Sequence, residues 1–475
     1  MSRFRTVILL AAAGAVTACS DDGTGPTSGG VFGPVQSVLA ANDCRNCHNP
    51  NNSVYHGNFE LLNNRAADSA AVALLLDFES PTSSPVVQRN LVGSSLTHPI
   101  RPFASTADDD AVTLLTFAQT LAAAGASRVL EAAKVGAAPT IDGVVDATWA
   151  GLSGIGIPIS GGFAGSTTVT MKAMYIPGDR VFFLLQWDDP TESVHRSPWL
   201  RTVSGWLRQP VAPPQFQTSE LANWRTRPDV YNYEDKAAII WNTTGASAVE
   251  GFDESGCAVL CHVNRPGDSR PLKYTNRVGQ TADMWHWKLV RTNVVHRLDD
   301  QYVYWNRDLA VNSSGGRAGD PGGGEYKSNG STAPAFVSAS QPAVPFWMVD
   351  SATAVAWAGA GLTIDPGDIA RAVTASDTFA VGDEVANAIT TLKPNVDRSH
   401  IEAYGVWSNG RWTLEISRSL QTNSTGAVPA GGTATVPVDV QFTPGQTYTF
   451  GVSVFENAQI EHSWSPGVYR LRFQP

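Results

Sequence analysis

Residues 167–187 read TTVTMKAMYIPGDRVFFLLQW, a sequence typical of a β-hairpin. Two runs rich in β-branched and aromatic residues, Thr167 to Tyr175 and Val181 to Trp187, flank the turn residues Pro177-Gly178-Asp179. Pro and Gly supply the backbone angles of a tight turn, whereas Val, Thr, Phe and Trp favour the pleated surface of a sheet. The stretch therefore predicts two antiparallel strands joined by a short loop.

Short strands of this kind recur through the rest of the chain. Further candidates are Lys236 to Trp241, Tyr302 to Trp305, Ile401 to Trp407, Arg411 to Ile416, Thr433 to Phe442, Tyr448 to Phe455 and Val468 to Phe473. Asn409-Gly410 is a hairpin turn between two of them. Strands at this spacing, without long helices between them, predict an all-β sandwich or jelly roll over residues 127–475. Residues 312–332, rich in Gly, Ser and Asn, are expected to form a loop excursion.

The region before residue 127 has a different composition and predicts a small all-α domain over residues 31–126. Val35 to Ala41 and Ala66 to Leu76 are apolar runs of helical propensity. Asp108 to Ala124 begins with an acidic turn and is followed by Gly125, as in an amphipathic helix. The chain is therefore expected to be multidomain, with a small helical domain followed by a larger β-sandwich with irregular insertions.

Cys44-Arg45-Asn46-Cys47-His48 forms the motif C-x-x-C-H within the helical region. Two thiols at this spacing can add to the vinyl groups of haem, and the adjoining His then reaches the iron. The motif predicts covalent haem c, with thioethers at Cys44 and Cys47 and with His48 as the proximal iron ligand. A disulfide or a redox dithiol is the alternative, although the βαβ pattern of a thioredoxin-like site is missing. With this motif, residues 31–126 resemble a monohaem cytochrome c domain.

The candidates for the distal iron ligand are narrowed by excluding Met. No Met lies between Met1 and Met171, so the usual Met ligand of cytochromes c is missing. His98, fifty residues after His48, is the preferred distal ligand and His56 the alternative. A third option is an open distal position that senses a small gas. Two histidine ligands imply a lower potential than a His/Met pair and a role in electron transfer.

The first thirty residues indicate export. Arg3 and Arg5 precede the apolar run Val7 to Val16, as in a signal peptide. The sequence Val16-Thr17-Ala18-Cys19 resembles a bacterial lipobox, which implies loss of residues 1–18 and acylation of Cys19. An ordinary cleaved signal peptide is the alternative. Residues 19–30 predict a flexible tether, so the mature chain is expected to be lipid-anchored and to face the periplasm or cell surface.

A second cysteine pair lies within the β region. Cys257-Ala258-Val259-Leu260-Cys261-His262 is C-x-x-x-C-H, one residue longer than the first motif. The extra residue can loop out while both thiols still reach haem, and His262 would then be the proximal ligand. A local disulfide between Cys257 and Cys261 is the other interpretation, because thiols in an exported protein meet an oxidising compartment.

The stretch Asp283 to Lys288 reads DMWHWK and predicts a strand with two different faces. Alternation places Met284, His286 and Lys288 on one face, and Trp285 and Trp287 on the other. Met284 and His286 are therefore candidate ligands of a second haem. The alternative is a rim strand whose Met packs in the core and whose Lys is exposed.

Four phrases in the β region carry a resemblance to known families. They are Pro139-Thr140-Ile141-Asp142-Gly143 with Trp149, the run Val181 to Thr191, Tyr233-Glu234-Asp235-Lys236, and Asp283 to Lys288. The first resembles the opening of DOMON-like and family-nine carbohydrate-binding sandwiches. Together they resemble the haem-binding subunits related to ethylbenzene dehydrogenase, over about residues 129–475. The resemblance implies a sandwich that carries a haem, of b or c type, and exchanges electrons with a molybdenum oxidoreductase or another cytochrome.

The net charge and the motifs of the sequence reduce the number of function classes further. The formal net charge of -10 argues against nucleic acid as a partner, since phosphate binding needs a basic surface. No recognisable nucleophile–base motif or phosphate-binding loop is present, so we expect an electron-transfer protein rather than a catalyst. The acid pairs Asp188-Asp189 and Asp299-Asp300 are expected in turns or on the surface. The alternative function is a haem c domain tethered to a carbohydrate- or ligand-binding sandwich.

Overall fold

The computed structural model divides the chain into two compact units, one ending at Arg128 and the other spanning Val129–Pro475. The residues described are 31–49, 51–52, 59, 61–95, 98–123, 127–162, 164–194, 196–208, 233–262, 272–322, 326–338, 370–391, 393, 396–422, 424–427, 435–465 and 467–475. The predicted signal peptide, the tether with Cys19, and His56 lie outside these residues.

The first unit is helical. Its helices are α1 (Gly33–Ala41), α2 (Cys44–His48), α3 (Arg65–Leu74), α4 (Pro85–Gln88) and α5 (Asp109–Ala123), with a 3-10 turn at Pro81–Ser83. The helices predicted from residues 35, 66 and 108 onward are confirmed as α1, α3 and α5. Val35 and Leu39 of α1 pack with Leu114 and Phe117 of α5 in one apolar core.

The second unit is built almost entirely of strands. They are β1 (Val129–Lys134), β2 (Gly154–Ile159), β3 (Thr167–Tyr175), β4 (Arg180–Asp188), β5 (Trp199–Thr202), β6 (Gly205–Arg208), β7 (Lys236–Asn242), β8 (Cys261–His262), β9 (Leu272–Lys273), β10 (Thr281–Lys288), β11 (Asp299–Tyr304) and β12 (Arg317–Gly319). They continue with β13 (Tyr326–Ser328), β14 (Phe336–Ser338), β15 (Ala370–Ala372), β16 (Glu384–Val385), β17 (Ala388–Thr390), β18 (Glu402–Ser408), β19 (Arg411–Ser419), β20 (Thr425–Ala427), β21 (Thr435–Pro437), β22 (Thr447–Phe455), β23 (Ser463–Trp464) and β24 (Tyr469–Phe473). The helical pieces are α6 (Ala147–Ala150), α7 (Phe252–Ser255) and 3-10 turns at Gly245–Ser247, Gly256–Leu260, Asn293–Val295 and Asp397–Ser399.

One large sheet folds over onto itself to give a sandwich-like architecture. Its strands follow the order β12-β11-β10-β7-β22-β24-β1-β3-β4-β19-β18. The first strand, β1, pairs in parallel with both β24 and β3. Trp287 of β10 meets Trp187 of β4 and Trp412 of β19, with ring centroids 6.3 and 5.0 Å apart. The two halves of the sheet therefore face each other across a common aromatic core, and the predicted β-rich fold is confirmed.

Both predicted hairpins are present. Strands β3 and β4 pair from Tyr175 and Val181 outward, and Gly178 in the turn has a φ of +73°. Asn409 and Gly410, which join β18 to β19, both have positive φ. Successive positive φ values are the geometry of a tight hairpin turn that matches the twist of the strands.

Two predictions need correction, one of a strand and one of a loop. Thr433 to Phe442 does not form a continuous strand in the described residues, where only Thr435–Pro437 pairs. Its apolar alternation reflects burial of loop side chains instead, and the Val440 amide donates to the Asp283 carboxylate. The excursion at 312–332 is not only loop, because β12 pairs with β11 and extends the main sheet. An unpaired strand edge recruits backbone partners even from a Gly-rich segment.

Candidate functional site

The C-x-x-C-H motif folds as helix α2 in the first unit. Cys44 and Cys47 are both free thiols and partly buried, and Cys44 packs against the helical core. Burial raises the pKa of the Cys44 thiol to about 11. The motif residue Arg45 forms an ion pair of 2.6 Å with Asp68 of α3, whose carboxylate is fully buried. This ion pair anchors α2 against α3 and fixes the direction in which the motif faces.

The two predicted iron ligands His48 and His98 lie side by side. Their ring planes are within 11° of parallel, and the ring centroids are 6.1 Å apart. Direct stacking would bring the atoms of two rings to roughly 4 Å. A metal bound to one nitrogen of each ring, at about 2 Å from each, holds the centroids roughly 6 Å apart. The spacing of the imidazoles thus suits one metal between them, and it also lies within the range of offset-stacked rings.

Hydrogen bonds define which nitrogen of each ring can bind a metal. Nδ1 of His48 donates to the Phe59 carbonyl at 3.1 Å, and Nδ1 of His98 donates to the Ile100 carbonyl. A carbonyl only accepts, so each Nδ1 carries the proton and each Nε2 has the lone pair. Metal-binding histidines commonly have this arrangement, which orients the ring. These contacts fit axial ligation of haem iron by His48 and His98.

In the second unit, Cys257 and Cys261 of the longer motif are free thiols. Cys257 lies in the 3-10 turn Gly256–Leu260 and packs directly on Gly451 of β22, where a Cβ would stand 3.0 Å from its Sγ. Burial raises the pKa of the Cys257 thiol to about 12. Cys261 begins β8, and the side chain of His262 lies outside the described residues.

The predicted two-faced strand is confirmed as β10. Trp285 and Trp287 point into the core of the sandwich, whereas Met284 belongs to a separate apolar cluster on the outer face. Cys257 packs against that same cluster. The fold therefore brings Cys257 of the C-x-x-x-C-H motif and Met284 together on one face of the sheet.

His286 lies two residues further along the same face and is buried. Its Nδ1 is 3.4 Å from Oε1 of Gln301, and its Nε2 has no hydrogen-bond partner among the described residues. Burial, reinforced by Lys288 and Lys236, holds the pKa of His286 well below its usual value. A buried neutral imidazole with an unpartnered nitrogen is equipped to bind a metal.

Sequence reasoning missed Lys273, which lies on the same outer face. Its Nζ is 4.0 Å from Sδ of Met284, and β9 pairs it with Cys261 of β8. An amine and a thioether at this separation can both bind one iron. The sequence around Lys273 lacks a periodic pattern, so it does not predict a strand there. Only the pairing of β8 with β9 shows that Lys273 lies next to Cys261. His462 is also near, since its ring and that of His286 both contact Phe455.

Lys288, on the same face of β10, and His296 are engaged in other contacts. Lys288 forms an ion pair with Asp299, which also binds Arg398 at 2.5 Å. His296 stacks on Tyr404, with ring centroids 3.7 Å apart, and His195 lies outside the described residues.

The expected surface position of Asp299-Asp300 is wrong. Both carboxylates are fully buried within β11. The Asp299 charge is tolerated there because Lys288 and Arg398 pair with it. Asp188 is exposed as expected, but Asp189 is buried.

His286 gives a prediction for pH dependence. A folded-state pKa below the ordinary value of about 6.5 means that the unfolded chain binds the proton first as pH falls. The free energy of unfolding should then fall with pH below about 6.5, by up to about 1.4 kcal/mol per pH unit. His286→Gln is expected to flatten this slope in urea titrations between pH 7 and pH 5. Ile240→Val in the apolar cluster on the same face is the matched control, and an unchanged slope in His286→Gln would contradict the assignment.

The second unit is thus a β-sandwich whose outer face carries the partly buried Cys257 and Lys273 beside the buried Met284 and His286. The chain belongs to the ethylbenzene dehydrogenase family, because the family model of that description matches residues 154–466, more than half of the chain. The matched region contains Cys257, Lys273, Met284 and His286, whereas the C-x-x-C-H motif lies before it.

No curated protein matches the chain. Among solved structures, a putative carbohydrate-binding protein from Bacteroides uniformis ATCC 8492 covers 73% of this chain and 99% of its own length, at 8% identity and a TM-score of 0.23. None of the described helices is long and apolar enough to cross a membrane.

Proposed function

We propose that this protein is an exported c-type cytochrome that transfers electrons. In the first unit, Cys44 and Cys47 would hold haem through thioether bonds, and His48 and His98 would bind the iron from opposite sides. The observation that carries this proposal is the parallel pair of imidazoles 6.1 Å apart beside the C-x-x-C-H helix. Haem supplies a one-electron couple when bound.

The residues around this site favour electron transfer over ligand binding. The Phe59 and Ile100 carbonyls accept from Nδ1 of His48 and His98, which orients both rings and increases their basicity. Two protein ligands leave no open iron position for a gas or a substrate. Bis-histidine ligation therefore supports an electron carrier rather than the gas-sensing alternative.

A second haem is proposed for the outer face of the sandwich. Met284, His286 and Lys273 are its candidate axial ligands, and Cys257 and Cys261 are candidate thioether positions, with His262 following them. Membership of the ethylbenzene dehydrogenase family supports a redox role for this unit. The described tryptophans are buried or half-buried, which fits packing roles better than an exposed platform for sugars.

We also propose a location and a redox partner for this protein. The lipobox-like sequence ending at Cys19 supports a lipid anchor on a bacterial membrane, with both units facing the periplasm or the cell surface. The partner would be a redox protein, either a molybdenum oxidoreductase or another cytochrome. Electrons would pass between that partner and the two haem sites of this chain.

The proposal is tested by counting haem in protein produced with a haem c maturation system. Haem per polypeptide is measured by the pyridine haemochrome assay before and after acid–acetone extraction. We expect two haems before extraction and at least one covalent haem afterwards. Wild type is compared with Cys257→Ser/Cys261→Ser, which loses one covalent haem only if the longer motif attaches it. Protein without haem would overturn the proposal, and one haem in total would restrict it to the first unit.

A further inference from the structure

A group of buried carboxylates lies on the opposite face of β10 and β11 from the candidate haem ligands. Asp300 and Asp283 come from the neighbouring strands β11 and β10. Asp320 follows β12, where its amide donates to the Asp300 carbonyl, and Asp439 follows β21. All four side chains are at most 3% exposed. The fold thus collects four acids from separate segments in a region with little access to water.

The positive charge in this group is too small to balance the acids. Arg418 of β19 lies 3.0 Å from Asp439 and 3.7 Å from Asp283, and both partners are fully buried. His400 is the other basic group, with Nε2 3.4 Å from Asp300 and 3.8 Å from Asp439. Buried ionised carboxylates require either pairing or a bound cation. One guanidinium cannot pair with four of them.

Several polar atoms here have no hydrogen-bond partner in the described part of the chain. They are Oδ2 of Asp300, Oδ1 of Asp439 and Nε2 of His400. The Asp320 carboxyl group has no other donor among the described residues and lies within hydrogen-bond reach of Asp439, a contact that needs one of the two acids to be protonated. Buried polar atoms are normally hydrogen-bonded, so such a concentration indicates a missing partner. Burial and the neighbouring carboxylates also raise the pKa of Asp300 and Asp320 well above the usual range.

We propose that Asp300, Asp439 and His400, together with Asp320, bind a divalent transition-metal ion such as Zn²⁺. One ligand atom each from Asp300, His400 and Asp439 lies within 4.8 Å of the others. Two ligands bound at about 2.1 Å around a tetrahedral metal are roughly 3.4 Å apart, close to the His400–Asp300 distance. An imidazole among carboxylates favours this class of metal over Ca²⁺, which takes oxygen ligands.

The site would be structural. All four ligands come from the protein, and a metal with no open position serves to hold chain segments together. Here it would link the sheet edge formed by β11 and β12 to the segments that carry His400 and Asp439. The side chain of His400 is 21% exposed, so its ring reaches the surface while its Nε2 is buried among the acids.

The test uses the full-length haem-loaded protein, treated with a chelator and dialysed. Zn²⁺ binding is measured by elemental analysis, which separates zinc from haem iron, and stability is measured as Tm with and without Zn²⁺. We expect one tightly bound Zn²⁺ per chain and a rise in Tm of several degrees. His400→Gln, at a partly exposed position, should fold normally and lose both effects. The control Asp188→Asn removes an exposed acid and should retain both.

A second variant separates a metal role from simple packing. Without metal, Asp300→Asn should have a Tm equal to or above that of wild type, because an amide replaces one acid of a crowded, buried group of acids. With Zn²⁺, wild type should become the more stable of the two. The proposal is overturned if Zn²⁺ changes the Tm of neither protein, if it stabilises His400→Gln as well as wild type, or if only Ca²⁺ stabilises wild type. Haem content is recorded separately, so failure here leaves the proposed electron-transfer function untouched.

Discussion

Replacing Cys44 and Cys47 with Ser is expected to remove the covalent haem of the first unit completely. Thioether bonds need both thiols of the motif, and Ser cannot form them. Intact-protein mass spectrometry should show one haem fewer than in wild type, and the peptide that contains residues 44–48 should lose its haem. Of the effects that we predict for this chain, the loss of haem in this double variant is therefore the largest.

The matched control for this experiment is Asn46→Ala. It changes the same short helix but keeps both thiols and His48, so covalent haem should be retained in full. A double Ser variant that keeps the mass of one haem on residues 44–48 would show that the motif has another role. Loss of haem in Asn46→Ala would show instead that the helix itself had been disrupted.

Replacing His98 with Met is expected to raise the reduction potential of the first haem. A thioether stabilises ferrous iron better than imidazole does, and axial ligands set haem potentials over a range of about 0.8 V. We expect an increase of roughly 0.1–0.3 V, a fraction of that range. Redox titration followed by visible absorption measures the change, and the oxidised spectrum should gain a sulfur-to-iron charge-transfer band.

His56→Ala provides the comparison for this variant, because His56 is the alternative distal ligand suggested by the sequence. If His98 binds the iron, His56→Ala should leave the potential and the spectrum unchanged. The reverse result, with a shift in His56→Ala and none in His98→Met, would assign the distal position to His56. No shift in either variant would favour an open distal site.

The local patterns were predicted well from the sequence. The hairpin at 167–187, the turn at Asn409-Gly410 and the alternation of Asp283 to Lys288 depend on residues close together in the chain. Predictions failed where long-range contacts override local preference. Asp299 and Asp300 resemble a surface pair by composition, yet Asp299 is stabilised inside by Lys288 and by Arg398, which lies 99 residues away.

The sequence by itself determined the β-rich class of the larger unit, and it predicts haem chemistry for C-x-x-C-H without a Met ligand, since each depends on residue type and short spacing. Only the tertiary structure decided that the His48 and His98 rings are parallel, that Lys273 and Cys257 share a face with Met284, and that Asp300 and Asp439 meet at His400. The reason is that strand pairing and burial join distant segments. The resulting distances, charges and unpartnered atoms therefore do not appear in any local stretch of sequence.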